Sequence, residues 1–394
     1  MKKRLRISVL IVIIIIGPFI HNKSRTETGS CVFNDINSDL SLAANDVIIP
    51  SVPYYSQNKN YYCGPACLEM VFDYFGNDIS QYEIADAART DFISQATFTD
   101  DMRRATHFSN LSTSVGDEMV SNIIGYTNRR VGYGAFENYF ASATSLLNLI
   151  DAGYPIIVLQ WYDESHSGGH FRVIIGYNSD GNLINNLITH DPWIKGYYRI
   201  NYDTFMDLWI YSGNWGLFIS PWDISITSPS TVVVNSTFTL SANVEYVCPT
   251  YFDYNYYTAS TCNATIQLPP GFSLSPEENP SKSLPIGELQ SGDNEIVQWR
   301  IVAETLDTQG FISVNAGGFV SGSTFSHASP GYSYTDLIGG SDGLTVTIVK
   351  KRQDNFILII SSVIIISVVA IGITIFLLKR RFGARLLDEN IENR

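Results

Sequence analysis

Gln57, Cys63, His170 and Asp191 have residue types and surroundings suited to acyl transfer through a thiol. Cys63 lies in QNKNYYCGPACLEMVFDYFG, where Leu68, Val71, Phe72 and Phe75 recur at i, i+3, i+4 and i+7 and draw one apolar helical stripe. Gly64-Pro65 gives a sharp turn with proline in the first helical turn. Cys63 is thereby set at the positive end of a helix dipole, which favours the thiolate a nucleophile requires. Gln57, upstream in the same loop, carries an amide that with the Cys63 backbone N–H would form an oxyanion hole. Taken singly, each has a plain structural reading: a buried thiol for Cys63, a loop amide for Gln57, a structural or surface imidazole for His170 and a turn residue for Asp191, which precedes a proline.

A nucleophilic thiol needs a base, and the base needs a group to orient it. Two β-rich runs, His170 to Tyr177 and Leu183 to His190, are joined by Ser-Asp-Gly-Asn, and Asp-Gly is a strong hairpin signal. If Asp180-Gly181 is the two-residue loop, counting outward places His170 opposite Asp191. Directly opposed residues share a face, with Cβ atoms about 5 Å apart. The inference is conditional, because a bulge would shift the register by one and turn His170 to the other face. His166 lies in a Gly/Ser loop, His190 on the opposite side of its strand, and His107 and His327 lack a nearby constellation.

Segments VPYYSQ, CGPACLEMVFDYFG, GGHFRVIIGYN and HDPW together resemble the papain-like C39 and C39-like cysteine peptidases, over roughly residues 52–219. The resemblance implies Gln57 as oxyanion donor, Cys63 as nucleophile, His170 as general base and then acid, and Asp191 as the residue that orients His170. It also implies a papain-like core of helices packed on an antiparallel sheet. Members fused to ABC transporters trim leader peptides after a double glycine, whereas this sequence holds no GxxxxGK[ST] phosphate loop and no multi-span domain.

The remaining sequence sets the context of that segment. A basic cap and apolar run, 1–20, reads as a signal peptide or signal anchor, followed by a linker or short propeptide over 21–45. Helical patterns and then strands over 46–221 indicate an α+β domain, which the resemblance implies is the papain-like C39-like peptidase domain. From 222 to 349, short β-branched runs separated by Pro, Gly, Ser and Asn indicate an all-β sandwich, which resembles the Ig-like sandwiches of surface proteins. The uncharged apolar run 356–378 is long enough to be a transmembrane helix, with a basic cytoplasmic tail over 379–394. The fold class expected is therefore α+β: a papain-like domain, an Ig-like sandwich and one C-terminal transmembrane helix. On this reading the chain is a single-pass membrane protein, or two-pass if the N-terminal signal is retained, with its catalytic domain outside the cell.

Cys248 and Cys262 flank a tyrosine-rich loop and are the disulfide candidates of an exported chain. Cys67, one helical turn from Cys63, reads as a small buried apolar residue, and Cys31 carries no assigned role. The net charge of −13 excludes nucleic acid as a natural partner. No HExxH motif or spaced Cys/His cluster calls for a metal, and the chemistry needs no cofactor. The partners expected are a peptide or protein substrate and the membrane. Hydrolysis of peptide bonds by a Cys-His-Asp triad leads. An acyl or peptidyl transferase, and a non-catalytic peptide-binding or adhesion protein, are the alternatives.

Overall fold

In the computed structural model the described residues are 45–90, 95–109, 126, 130–181, 183–249, 257–277, 281–324, 333–351, 367–371 and 373–374. The expected segments 1–20 and 379–394, almost all of 21–45, and Cys31 and His327 lie outside them.

The first half runs β1 (Asp46–Ile48), α1 (Cys63–Tyr74), α2 (Gln81–Ala87), α3 (Thr99–His107), β2 (Gly134–Asn138), α4 (Ala143–Asp151), β3 (Ile156–Trp161), β4 (Gly169–Asp180), β5 (Leu183–Asp191), β6 (Lys195–Asn201), α5 (Tyr202–Trp209) and β7 (Gly216–Ser220). These strands form one sheet in the order β2-β7-β3-β4-β5-β6, antiparallel throughout. β1 continues the edge of β4 beyond the end of β3. Local chemistry starts the helices where the sequence signals them. Ser80 caps α2 by accepting the Glu83 N–H at 3.4 Å, and Ser142 caps α4 by accepting the Ser145 N–H at 3.1 Å. α1 packs on β4 and sinks Ala66, Cys67, Leu68, Met70, Val71 and Phe72 completely.

The second half adds β8 (Asp223–Thr227), β9 (Thr231–Val233), β10 (Thr237–Glu245), β11 (Ala259–Gln267), β12 (Phe272–Leu274), β13 (Ser283–Leu289), β14 (Asn294–Ala303), β15 (Gln309–Ser323) and β16 (Ser333–Val349). They make two sheets, β12-β14-β10-β8 and β13-β11-β15-β16-β9. Alternate residues such as Leu240, Ala242, Val244, Trp299 and Ile301 on the first, and Ala264, Ile266, Ile312 and Val314 on the second, are buried in one common core.

Three expectations are corrected. Among the described residues 46% are strand and 20% helix, so the chain is mostly β rather than the α+β papain-like fold expected. The helices are short and the long strands of the second half dominate. The apolar run 356–378 is described only at 367–371 and 373–374, and among the described residues no helix is long and apolar enough to cross a membrane. A span requires about 20 residues. The expected transmembrane helix, and the single-pass or two-pass placement that rests on it, are corrected to that extent: among the described residues no spanning helix is present.

Cys248 and Cys262, the disulfide candidates, are not bridged in the structure. Cys262 sits at a bulge of β11, where its Sγ donates to the Ala259 carbonyl at 3.1 Å and lies against Gly318 of β15. Cys248 follows β10, in the other sheet, and its Sγ approaches the Pro249 carbonyl at 3.7 Å.

Candidate active site

Cys63 is the first residue of α1, after Tyr62, whose side chain makes no capping hydrogen bond. The first-turn amides of a helix lack intrahelical partners and point toward its start. Cys63 is half-buried there, within the electrostatic influence of the His170 imidazole. Burial alone would push its thiol up. The hydrogen bond and charge of His170, with the backbone amides of Phe171 and Gly64, outweigh burial and hold Cys63 below the usual thiol range. Cys67, fully buried, is pushed well above that range by burial and by its neighbour Cys63.

His170 lies near the start of β4 with 4% of its surface exposed, and its Nε2 is 2.9 Å from Asp191 Oδ1. The second ring nitrogen, Nδ1, takes no part in that bond. Burial opposes the charged imidazole, but the hydrogen bonds to Asp191 and Cys63 prevail and raise its pKa. Each group thus favours the charged form of the other.

Asp191 is fully buried and both carboxylate oxygens accept hydrogen bonds. Oδ1 accepts from His170, from the Trp193 N–H at 2.9 Å and from the Ile194 N–H at 3.0 Å, while Oδ2 accepts from Arg172 Nε at 2.8 Å. Burial would raise this carboxyl, yet His170, Arg172 and the Trp193 amide bring it down to about 2. The proline after Asp191 turns the chain so that the next amides fold back onto the carboxylate.

The hairpin count that linked His170 to Asp191 was off by two residues. The pair closing the hairpin is Asp180–Leu183, and two bulges follow, one on β5 at Asn185 and one on β4 at Ile175. They cancel, so Val173 stands opposite His190. One step further, Asp191 is level with Arg172, and His170 reaches it diagonally. A slip of two preserves the face, since side chains alternate with period two.

Arg172 was not singled out from the sequence, although it shares the parity of His170 on the same strand. It is 1% exposed. Besides Asp191 it donates to Gln160 Oε1 and to the Trp161 carbonyl, each at 3.2 Å, and to the Tyr162 carbonyl at 2.7 Å. Gln160, also buried, is held in turn by donating to the Phe205 carbonyl at 3.1 Å. Tyr162 sets its ring edge-on to His170 at 5.3 Å.

Gln57 lies on the loop before α1. Its Nε2 donates to the Lys59 carbonyl at 2.8 Å, and its Oε1 is buried without a partner. A carboxamide has two N–H donors, so one remains. The other described histidines have structural partners. His190 stands between the Val52 carbonyl at 3.0 Å and the Tyr197 N–H at 3.1 Å, and His107 Nδ1 meets Tyr334 Oη at 3.0 Å. His166 stacks on Trp161 with ring centroids 5.0 Å apart. Among the described residues no three His, Cys, Asp or Glu side chains are grouped to hold a metal.

Residues 49–216 match the Peptidase_C39 like family. The match suggests a cysteine peptidase and spans the sheet and helices that carry Gln57, Cys63, His170 and Asp191. Comparison with curated proteins gives no match. Among solved structures, the chain is similar to the peptidase domain of Streptococcus ComA, a bifunctional ABC transporter involved in a quorum-sensing pathway. Identity is 20% over 43% of this chain and 98% of that one, with a TM-score of 0.32. A cohesin module from a Clostridium perfringens family 33 glycoside hydrolase is similar at 11% identity over 34% of this chain and 99% of the module, TM-score 0.23. A CARDB domain from Pyrococcus furiosus is similar at 9% identity, over 32% of this chain and 94% of the domain, TM-score 0.21.

Proposed function

We propose that the chain hydrolyses peptide bonds with Cys63 as nucleophile, His170 as general acid and base, and Asp191 as the group that orients His170. The observation that carries this reading is the bond of His170 Nε2 to the buried Asp191 carboxylate, with the Cys63 thiol at a helix start lowered by that same imidazole. The Cys63 thiolate attacks the scissile carbonyl carbon and forms a tetrahedral oxyanion. The Cys63 N–H and the second N–H of Gln57 stabilise that oxygen. His170 Nδ1–H protonates the departing amine, leaving an S-acyl enzyme and a neutral imidazole. The imidazole then removes a proton from water, whose oxygen attacks the thioester, and the collapsing intermediate releases the carboxylic acid and restores the ion pair.

A peptide library read by mass spectrometry in 18-oxygen water tests this. The wild-type chain is expected to cleave a subset of peptides and place one 18-oxygen atom in each new carboxylate, and Cys63→Ala to cleave none. Equal cleavage by Cys63→Ala, or transfer to an added amine without label in the acid product, would overturn hydrolysis at this thiol.

A further inference from the structure

Gln57 belongs to a segment without regular secondary structure between β1 and α1, so the accuracy of its aim depends on side chains that hold its backbone. The Gln57 N–H donates to the Pro192 carbonyl at 2.9 Å, which fastens the loop to the turn after Asp191. The residues on either side are both held by Gln81, the first residue of α2. Gln81 Nε2 donates to the Ser56 carbonyl at 2.9 Å, and Gln81 Oε1 accepts the Asn58 N–H at 2.8 Å. Its other N–H donates to Glu69 Oε2 at 2.7 Å, on α1, the helix that starts with Cys63.

We propose that Gln81 is a positioning residue for the reaction, a bracket that sets the loop of Gln57 at a fixed distance from the helix of Cys63. The inference rests on the peptidase reading for its function and on these three hydrogen bonds for its geometry. Gln81 is 2% exposed, although the first residue of a short helix ordinarily faces water. Its two donors and its acceptor are all engaged within the protein. Glutamate here would set a second carboxylate against Glu69 and lose both donors. Leucine would leave the Ser56 carbonyl and the Asn58 amide unpaired, and asparagine is one methylene short. Lys59 adds a weaker tie to the same helix, its Nζ lying 5.4 Å from the ring centroid of Tyr82, and its carbonyl holds the Gln57 amide.

Because Gln81 touches neither the thiol nor the imidazole in any of these bonds, its loss should act through Gln57 alone. A group displaced by about 1 Å from its working position costs on the order of 10²-fold in rate. Gln81→Leu is expected to lower kcat by roughly that factor with KM little changed, while iodoacetamide alkylates Cys63 at pH 6 as fast as in the wild type. Alkylation needs the ion pair but no oxyanion hole. The double variant Gln57→Ala/Gln81→Leu is expected to be no slower than Gln57→Ala, since the bracket then has nothing left to aim. Should Gln81→Leu fail to fold, the pair Gln81→Glu and Glu69→Gln/Gln81→Glu takes its place. The second restores the bond between the two side chains and is expected to recover part of the kcat lost in the first.

A wild-type kcat in Gln81→Leu, a loss that multiplies with that of Gln57→Ala, or a parallel fall in alkylation would overturn the bracket. A wild-type chain that cleaves no peptide would remove the peptidase reading instead, and hydrogen exchange then decides the geometry. Faster exchange at Asn58 in Gln81→Leu, with the middle of α1 unchanged, supports the bracket, and unchanged exchange at Asn58 overturns it.

Discussion

Asp191 carries more of the site than its distance from Cys63 indicates. Its carboxylate accepts His170, two backbone amides and Arg172, and that crowd of donors holds it at about 2 against an ordinary value of 3.8. A group lowered on folding contributes stability that is complete above its unfolded value and lost as pH falls through its folded value. The shift corresponds to on the order of 2 kcal/mol. Urea unfolding at pH 5 and at pH 2 is expected to show a loss of about that size in the wild type that is missing from Asp191→Asn. In activity, Asp191→Asn should leave His170 free to take the wrong tautomer and lower kcat by about 10²–10⁴-fold with little change in KM. These residues were legible in the sequence for different reasons. Cys63 was visible from Gly-Pro and the apolar stripe behind it, and Asp191 from strand parity, which survives an error of two in register. The partners of Gln57 were not legible, because Gln81 and Glu69 come from helices whose packing no local pattern records.

β4 is the element that joins the site, since His170 and Arg172 both project from it toward Asp191. Arg172 distributes four hydrogen bonds between Asp191, Gln160 and the carbonyls of Trp161 and Tyr162. Removing one partner of a buried ion pair leaves the other charge uncompensated, at a cost of about 3–5 kcal/mol. Arg172→Met is expected to lose that much stability in denaturant unfolding, and Arg172→Lys to recover little of it, because an ammonium cannot span the planar fork. Full recovery by lysine would show that charge alone matters. The hairpin itself shows where sequence reasoning stops. Asp180-Gly181 signals a turn, but the closing pair falls one residue later and two bulges, at Ile175 and Asn185, follow, and none of these was visible from propensity. The strand β2, the helix α5 and the strands β8, β12 and β13 are short or lack a strong period, and tertiary pairing makes them.

At the scale of the molecule, α3 explains why the β-rich second half is no loose appendage. Its sequence TDDMRRATH is mostly polar, with only Met102 and Ala105 apolar, which in isolation describes a solvated helix, yet Asp100 through His107 are all buried. Arg89 bridges Asp101 at 2.6 Å and Thr324 at 2.9 Å, Arg103 donates to the Ser323 carbonyl at 2.7 Å and pairs with Glu137, and His107 meets Tyr334. Backbone bonds continue the seam, with Gly339 N–H on the Gly132 carbonyl at 2.9 Å and Trp222 N–H on that of Gly339 at 3.2 Å. At Gly132, which has a φ of +57°, an added Cβ would meet the Leu337 carbonyl at 2.4 Å, so only glycine allows so close an approach. The other side of α3 reaches the site, where Met102 Sδ lies against Gly64, next to Cys63. Hydrogen exchange during urea unfolding is therefore expected to release α3, β4 and β15 at one midpoint. Separate midpoints for β4 and β15 would show two independent units. The β texture of this half could be read from its Pro, Gly and β-branched spacing. Its burial of a charged helix could not, because the partners lie more than two hundred residues apart.

The proposed chemistry depends on the state of one thiol, that of Cys63. An isolated cysteine titrates near about 8.5, and one paired with imidazolium at a helix start titrates well below that. The pH dependence of Cys63 alkylation, located by peptide mass mapping in the wild type and in His170→Ala, measures this directly. The geometry predicts rapid alkylation at pH 6 that His170→Ala abolishes, with Cys67 unreactive throughout. Slow alkylation that rises only above pH 8 and is indifferent to His170 would contradict a Cys63–His170 ion pair and the peptidase reading built on it.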